Sequence, residues 1–227
     1  MNRVGHGTVE LGAVFNKIMM RERSHQRPPF RETLRSFRYR AKCGDTDNGR
    51  TDGEAAMSDE KTGGHAAEVA VVAGGCFWGV EDILRNVSGV LETDVGYTGG
   101  WLENPTYHDT HDSKSGHAEA IRVTFDPAVL SYETLLEQWF FKLHDPTTLN
   151  RQGNDTGTQY RSAIFPQSPE QRDIAERVKA RVDASGKWKG RVSTSIEPAG
   201  TWYSAEKYHQ DYLKKNPGGY TCHYMRN

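Results

Sequence analysis

Residues 74–79, which read Gly-Gly-Cys-Phe-Trp-Gly, limit the possible folds of this chain more than any other stretch. The apolar run at residues 69–72 contains three valines and predicts a buried strand. Apolar side chains then recur at helical spacing over residues 80–87. Cys76 is therefore predicted to lie where a strand passes into a helix.

That position leaves two interpretations of Cys76 open. The preceding glycines allow a tight turn, and the unpaired N–H groups at the start of the following helix favour a reactive thiolate over the thiol. The alternative is a buried structural cysteine, because free cysteines are among the most buried residues. The neighbouring rings of Phe77 and Trp78 favour the first interpretation, since large rings beside a turn thiol are typical of pocket walls.

Composition limits the class of protein. A hydrophobic fraction of 35% and a mean hydropathy of -0.78 over 227 residues indicate one domain with a tail outside its core. The net charge of -1 argues against strong attraction to nucleic acid or membranes, and no stretch has the roughly 20 apolar residues that span a bilayer. Cys43, Cys76 and Cys222 form neither a disulfide pattern nor a zinc pattern, so a reducing, cytoplasmic location is expected.

Residues 1–66 differ from the rest of the chain. Basic residues recur over residues 21–42, and residues 44–64 are polar and rich in Gly, Asp and Thr, which predicts a disordered N-terminal extension. A basic segment that binds RNA or acidic lipid is one alternative, and a translation start at Met57 is another. The folded domain is expected at residues 67–227.

The folded part alternates between strand and helix patterns. Strands are expected at residues 69–72, 90–97, 118–125, 161–165 and 192–197, and helices at residues 77–86, 131–143, 168–184 and 205–214. A long polar loop is expected at residues 101–116. The aperiodic stretch at residues 147–159 is interpreted as functional, because structureless segments of that length are uncommon in compact domains. The order predicts an α+β fold, a ferredoxin-like α/β sandwich over a mixed sheet with an added C-terminal helix and long coil segments.

Several polar side chains in the folded part are candidates for a functional site: Tyr107, His117, Glu119, Asp155, Tyr160 and His209. Each also has a structural explanation. A glutamate in a strand usually faces solvent, a loop aspartate commonly makes an Asx turn, and a histidine can be a core residue. None of them identifies a reaction by itself.

Seven segments together resemble the A-type peptide methionine sulfoxide reductases. They are Gly-Cys-Phe-Trp-Gly at 75–79, Gly-Tyr-Thr-Gly-Gly at 96–100, Asn-Pro-Thr-Tyr at 104–107, Gly-His-Ala-Glu-Ala at 116–120, His-Asp-Pro at 144–146, Arg-Gln-Gly-Asn-Asp at 151–155 with Gly-Thr-Gln-Tyr-Arg-Ser at 157–162, and Tyr-His-Gln-Asp-Tyr-Leu at 208–213. Their shared order makes the match specific. It runs from residue 71 to the C-terminus and leaves the N-terminal extension unexplained.

The resemblance implies reduction of the S epimer of methionine sulfoxide, free or within proteins, and thus repair of oxidised proteins. Cys76 would attack the sulfoxide sulfur and become a sulfenic acid. Glu119, kept protonated by a partly desolvated site, would donate a proton to the sulfoxide oxygen. Tyr107 and Tyr160 would add hydroxyl donors to the same oxygen.

The resemblance also implies roles for the rest of the site. Asp155 would help to position it, while Phe77 and Trp78 would form the apolar wall that holds the methyl group of the substrate. Cys222, on a tail that follows two glycines, would form a disulfide with Cys76, and thioredoxin would reduce that disulfide. No metal, flavin or nucleotide is required, and a monomer is the expected state.

Two features depart from many relatives. Residues 108–115 are polar where those relatives have a more apolar segment with a cysteine. Many relatives also carry two recycling cysteines in a glycine-rich tail, whereas Cys222 is the single cysteine there and Cys43 lies in the N-terminal extension.

Two other functions remain open from the residues. Cys76 with His117 or His209 could form the pair of a cysteine hydrolase, which would make an acyl-enzyme and need no reductant. Alternatively, four histidines could ligate a metal in a regulatory protein, although their spacing matches no compact zinc signature. These histidines are His108, His111, His117 and His223.

Overall fold

A computed structural model describes residues 66–227 of the protein. The predicted N-terminal extension and the alternative start at Met57 lie outside this range, apart from residue 66, and they stay predictions. None of the helices in residues 66–227 combines the length and the apolar character that a membrane span requires.

Eight strands follow one another along this part of the chain. They are β1 (Glu68–Gly74), β2 (Val90–Thr98), β3 (Ala118–Phe125), β4 (Arg151–Gln152), β5 (Asp155–Thr156), β6 (Ser162–Ile164), β7 (Ser195–Ile196) and β8 (Tyr203–Ser204). Six of them form one sheet in the order β7-β6-β1-β3-β2-β8, and β4 pairs with β5 in a separate hairpin.

Four strands of the sheet have the ferredoxin-like arrangement. β3 lies antiparallel between β1 and β2, and β6 pairs antiparallel with the other side of β1. β7 then adds parallel to β6, which makes the sheet mixed. The predicted ferredoxin-like α/β sandwich with a mixed sheet is therefore confirmed.

Helices and helical turns connect these strands or follow the last of them. They are α1 (Phe77–Leu84), α2 (Tyr107–His111), α3 (Tyr132–Thr134) continued by a π-helical turn (Leu135–Phe140) and α4 (Phe141–Leu143), a 3-10 turn (Thr158–Tyr160), α5 (Pro169–Ala184) and α6 (Tyr212–Lys215). Ser131 caps α3 by accepting the N–H of Thr134, and Ser168 caps α5 by accepting the N–H of Gln171.

The core has a main cluster on the α1 side of the sheet and a smaller cluster on the opposite face. Ile121 and Val123 of β3 belong to the main cluster, whereas Ala118 and Ala120 belong to the smaller one. Because successive strand residues point to opposite faces, Glu119 shares the face of Ile121. Its side chain therefore enters the molecule on the same side as α1, and it is buried.

The predicted C-terminal helix is present, but its predicted bounds, residues 205–214, are wrong, because helical backbone in this region is limited to α6. Asp211 has a left-handed φ of 53°, and its N–H donates to the Glu81 carboxylate at 2.8 Å. The side-chain amide of Gln210 bonds to both the N–H and the C=O of Val95 at 2.9 Å. These long-range polar contacts hold the segment in turns.

Three coil or strand predictions also need correction. The loop expected at residues 101–116 contains α2, which begins with a capping box because Thr106 and Asp109 each accept the other's backbone N–H. The aperiodic stretch at residues 147–159 contains the β4-β5 hairpin. The strand expected at residues 192–197 shortens to β7.

Candidate active site

Cys76 lies at the N-cap of α1, just after the central strand β1, as the sequence predicts. Only 7% of its surface is exposed. Gly75 before it has a φ of 104°, a backbone conformation that side chains rarely adopt, and a Cβ there would lie 2.6 Å from the side chain of Gln152. The turn therefore requires glycine and holds the thiol in a tightly packed pocket.

Cys76 is not the stabilised thiolate that its helix position suggests. Burial raises the pKa of the thiol well above its ordinary value, and Glu119, in its ionised form, raises it further. The backbone N–H of Trp78 lowers this pKa, in the direction that a helix N-terminus predicts, but burial outweighs it. In the resting site Cys76 is a neutral thiol.

Glu119 lies directly beside the turn that carries Cys76. Its Oε2 accepts the backbone N–H of Phe77, the first residue of α1, at 3.1 Å. Burial raises the pKa of this carboxyl to about 8, the Phe77 N–H acts against that rise, and the charge of Asp155 adds to it. Most Glu119 carboxyls are therefore protonated at neutral pH and can act as proton donors.

Two tyrosines and an aspartate complete the polar part of the pocket. Tyr107 of α2 and Tyr160 of the 3-10 turn are half-buried, and burial followed by the charge of Glu119 raises the pKa of both phenols. Their hydroxyls therefore stay protonated. The charge of Asp155 also raises the pKa values of Cys76, Glu119 and both tyrosines.

Phe77 and Trp78, predicted to form an aromatic wall, are both buried beside Cys76. The Trp78 ring stacks on Tyr212 with 3.8 Å between centroids and 13° between planes. Its Nε1–H donates to Nδ1 of His209 at 3.0 Å, and the Phe77 ring centroid lies 5.1 Å from that of His209. Packing and one hydrogen bond therefore fix both rings.

Glu206 connects this wall to α2, a role that sequence reasoning missed. Its Oε1 accepts the N–H of Tyr107 at 3.0 Å, and its Oε2 accepts the hydroxyl of Tyr97 at 2.9 Å. His209 Nε2 lies 3.8 Å from the same Oε2. The spacing of three residues between Glu206 and His209 indicates a neighbouring pair on a helix, but here both residues lie outside helices.

Cys222 lies beside the pocket on the last stretch of the chain, residues 219–227, which we name the C-terminal segment. Its Sγ donates to Oδ2 of Asp155 at 3.5 Å, and burial followed by the charge of Asp155 raises its pKa to about 12. Cys76 and Cys222 are both free thiols. His223, the residue after Cys222, bonds to the carbonyl oxygen of Gly74, two residues before Cys76, at 2.7 Å.

The C-terminal segment is held by specific contacts, although glycines precede it. Tyr220 donates its hydroxyl to Oδ1 of Asp155 at 3.1 Å. Near the end of the chain, the backbone N–H of Arg226 donates to the carbonyl oxygen of Lys142, a residue of α4, at 2.9 Å. Contacts on both sides of Cys222 therefore hold this thiol beside the pocket.

The histidines of the hydrolase hypothesis are engaged elsewhere. His117 accepts the Gly100 N–H at Nδ1 (3.0 Å) and bonds to the Leu102 carbonyl through Nε2 (2.8 Å), so both of its ring nitrogens are used. His209 uses Nδ1 for Trp78 and directs Nε2 toward Glu206. These contacts do not support a cysteine–histidine pair.

The metal hypothesis gains no support either. Over residues 66–227, no group of three or more His, Cys, Asp and Glu side chains is arranged to hold a metal ion. Of the four histidines considered, His117 and His223 bond to backbone groups, and His108 lies 3.6 Å from Asp112 on the exposed side of α2.

Known proteins are similar to this chain over the whole described domain. The family model for peptide methionine sulfoxide reductase matches residues 68–227, more than half of the chain. The peptide methionine sulfoxide reductase MsrA 1 of Mesorhizobium japonicum is 57% identical over 161 residues, covering 71% of this chain and 91% of its own. MsrA of Methanothermobacter thermautotrophicus is 56% identical over 159 residues, covering 70% and 93%.

Solved structures agree with these sequence matches. The reduced form of Mxr1 from Saccharomyces cerevisiae is 36% identical with a TM-score of 0.67, covering 71% of this chain and 93% of its own. Methionine sulfoxide reductase A of Corynebacterium diphtheriae is 39% identical with a TM-score of 0.60, covering 70% and 79%. The chain therefore belongs to the peptide methionine sulfoxide reductase family and is an oxidoreductase, a peptide-methionine (S)-S-oxide reductase.

Proposed function

We propose that the chain reduces methionine S-sulfoxide, both free and within proteins, through a Cys76 sulfenic acid and a Cys76–Cys222 disulfide that thioredoxin reduces. Its role is then the repair of oxidised proteins. The observation that carries the proposal is the bond from the Phe77 N–H to Glu119. It joins the residue after Cys76 to a buried carboxyl whose pKa is raised to about 8, so a sulfur nucleophile and a proton donor meet at one turn.

The first step transfers oxygen from the substrate to Cys76. Cys76 Sγ attacks the sulfoxide sulfur while Glu119 gives its proton to the sulfoxide oxygen, and the thiol proton of Cys76 restores Glu119. The sulfur–sulfur bond formed by this attack then breaks as the oxygen leaves the substrate sulfur for Cys76, so Cys76 becomes a sulfenic acid and methionine is released. The sulfur of the substrate is reduced by two electrons and that of Cys76 is oxidised by two, so the step balances.

The surrounding side chains orient the substrate for this step. The protonated hydroxyls of Tyr107 and Tyr160 donate to the same oxygen, because burial keeps both phenols un-ionised. Phe77 and Trp78 pack against the methyl group, and Asp155 positions the polar side of the pocket. The fixed rings make the wall selective by shape.

The second step closes the disulfide. Cys222 Sγ attacks Cys76 Sγ, the sulfur–oxygen bond breaks, and the hydroxide leaves as water with the thiol proton of Cys222. A dithiol reductant of the thioredoxin type then exchanges with the disulfide and restores both thiols. The bond of His223, which follows Cys222, to the Gly74 carbonyl two residues before Cys76 supports this step.

We further propose a cytoplasmic location and a monomeric enzyme. The two described cysteines are free thiols rather than a structural disulfide, which fits a reducing compartment. A net charge of -1 gives no strong attraction to nucleic acid or membranes.

The proposal is tested by a thioredoxin-coupled assay against separated R and S sulfoxides, each supplied as the free amino acid and in a short peptide. We expect turnover of the S epimer in both forms and none of the R epimer. Equal turnover of both epimers would contradict the assigned pocket. Turnover that needs no reductant would instead favour a hydrolase.

A further inference from the structure

His223 is a buried histidine next to the proposed recycling thiol, and the reaction described above does not use it. Only 8% of its surface is exposed. Its Nε2 lies 2.7 Å from the carbonyl oxygen of Gly74, the last residue of β1 and two positions before Cys76. His223 therefore joins the C-terminal segment directly to the strand that carries the attacking thiol.

The hydrogen bond fixes which ring nitrogen carries the proton. A carbonyl oxygen can only accept, so Nε2 must donate its N–H to Gly74. Burial lowers the pKa of His223 to about 4, so at neutral pH the ring is uncharged and Nδ1 has a free lone pair. That nitrogen faces Cys222, with 3.6 Å between Nδ1 and Sγ.

Two glycines make room for this ring. A Cβ on Gly75 would lie 3.2 Å from His223 Nε2, and a Cβ on Gly79 would lie 2.5 Å from His223 Nδ1. Gly79 is in α1, where glycine costs helix stability relative to alanine. The space at Gly79 is filled by Thr221 and His223 of the C-terminal segment, whereas the space at Gly75 is shared between Gln152 and His223.

We propose that His223 is a positioning residue for disulfide formation: it docks the C-terminal segment on the β1–α1 turn and so holds Cys222 ready for the sulfenic acid on Cys76. This inference rests on the proposed recycling role of Cys222. The reduction of methionine sulfoxide does not depend on His223, because Cys76 and Glu119 are held by β1, α1 and β3. Loss of the ring therefore slows the second step and spares the first.

The test measures the two steps separately in the full-length enzyme. Methionine release in a single turnover reports the first step, and alkylation of free thiols followed by mass spectrometry reports the rate of Cys76–Cys222 disulfide formation. In His223→Ala we expect unchanged methionine release, disulfide formation slowed about tenfold, the size expected for one buried hydrogen bond, and a sulfenic acid that dimedone traps.

Conservative variants separate the hydrogen bond from general packing. Glutamine places an N–H donor at the position of Nε2, so His223→Gln should restore most of the rate of disulfide formation. His223→Asn carries a shorter side chain that does not reach the Gly74 carbonyl, so it should behave like His223→Ala. Equal rates in the glutamine and asparagine variants would overturn the proposal, even if His223→Ala failed to fold.

A second route to the same defect changes no residue of the C-terminal segment. The methyl group of Gly79→Ala would overlap Thr221 Oγ1 and lie 2.5 Å from His223 Nδ1, so this variant should displace the C-terminal segment and also slow disulfide formation. Because both substitutions act on the same contact, adding Gly79→Ala to His223→Ala should cause less further loss than Gly79→Ala causes alone. Tyr224→Ala serves as a matched control, because Tyr224 is the next residue and is 62% exposed. It should form the disulfide at the wild-type rate.

The outcomes distinguish this inference from the proposed function. If Cys222→Ser keeps full thioredoxin-supported turnover, the recycling role of Cys222 is wrong and the inference fails with it. If Cys222→Ser stops turnover but His223→Ala forms the disulfide at the wild-type rate, only the role of His223 is wrong.

Discussion

The two cysteines of the site are placed by different kinds of structure. Cys76 follows a central strand and caps a helix, so the sheet and the helix fix its backbone from both sides. Cys222 lies in a segment without regular structure, which is held by bonds from Tyr220, His223 and Arg226. The first position is therefore built into the fold, whereas the second depends on a few contacts that single substitutions can remove.

The two thiols also have different carboxyl partners. After burial, Glu119 is the main influence on the pKa of Cys76, and Asp155 is the main influence on that of Cys222. Both pKa values are raised, so neither thiol is ionised at rest. Substitution of Glu119 should therefore affect mainly the step that Cys76 performs.

The largest expected effect comes from Cys76→Ser. A hydroxyl is far harder to ionise and is a poorer nucleophile toward sulfur, so methionine formation should fall below detection with every reductant. Amino-acid analysis of the products after a single turnover measures this. Methionine release from the variant would show that the attacking thiol is not Cys76.

Cys222→Ser should stop repeated turnover with thioredoxin but leave the reduction of the first substrate molecule intact. We expect about one equivalent of methionine per enzyme and a trappable sulfenic acid on Cys76, because thioredoxin finds no disulfide to exchange with. Dithiothreitol should restore part of the turnover by reaching the sulfenic acid directly. Wild-type turnover with thioredoxin would mean that Cys43, which lies outside the described residues, or direct reduction replaces Cys222.

Glu119→Gln tests the carboxyl partner of the first thiol. The amide keeps the shape of the side chain but has no transferable proton, so the single-turnover rate should fall about 10²- to 10⁴-fold. Once the variant has slowly formed the sulfenic acid on Cys76, the rate of disulfide formation from that species should be much less affected. A loss below about threefold in the single-turnover rate would contradict the role of Glu119 as the acid, because general acid catalysis typically contributes far more.

The pH dependence of the single-turnover rate should report the ionisation of Glu119 in the wild-type enzyme. The active form of Glu119 is the protonated one, so the single-turnover rate should be high below its pKa of about 8 and fall as pH rises through that value. The expected decline is about tenfold per pH unit. Glu119→Gln should lack this dependence. A wild-type rate that rises between pH 7 and 9 would show that ionisation of Cys76 controls the step instead.

The smallest effect is expected from removal of residues 1–56. Both cysteines of the site and their partners lie in the domain described here, so a protein that begins at Met57 should keep its activity and its melting temperature. Thermal unfolding monitored by circular dichroism measures the second quantity. A drop of several degrees would show that the extension packs on the domain.

Local signals made several elements predictable. A short run of apolar residues mixed among polar ones predicted β3 at residues 118–125, the same bounds that the structure has. Ser168 followed by Pro169 predicted the start of α5, because a capping hydroxyl and a fixed φ act within one turn. These signals depend on neighbours in the chain, so they can be read without a structure.

Other features depend on contacts between distant parts of the chain. The side of the sheet that Glu119 faces follows from the packing of β3, and the neutral state of Cys76 follows from burial that outweighs the helix end. The bond between His223 and Gly74 joins residues 149 positions apart. Turns at residues 207–211 replace part of the predicted helix because Glu81 and Val95 bond to this segment.

The outermost strands of the sheet are short, which limits how another polypeptide can pair with its edges. β7 and β8 have two residues each, so neither edge offers a long row of unpaired N–H and C=O groups. A long exposed edge is a template on which an extended polypeptide can add as a further strand. An enzyme that acts on peptides meets such polypeptides constantly, and edges this short give them little to pair with outside the pocket.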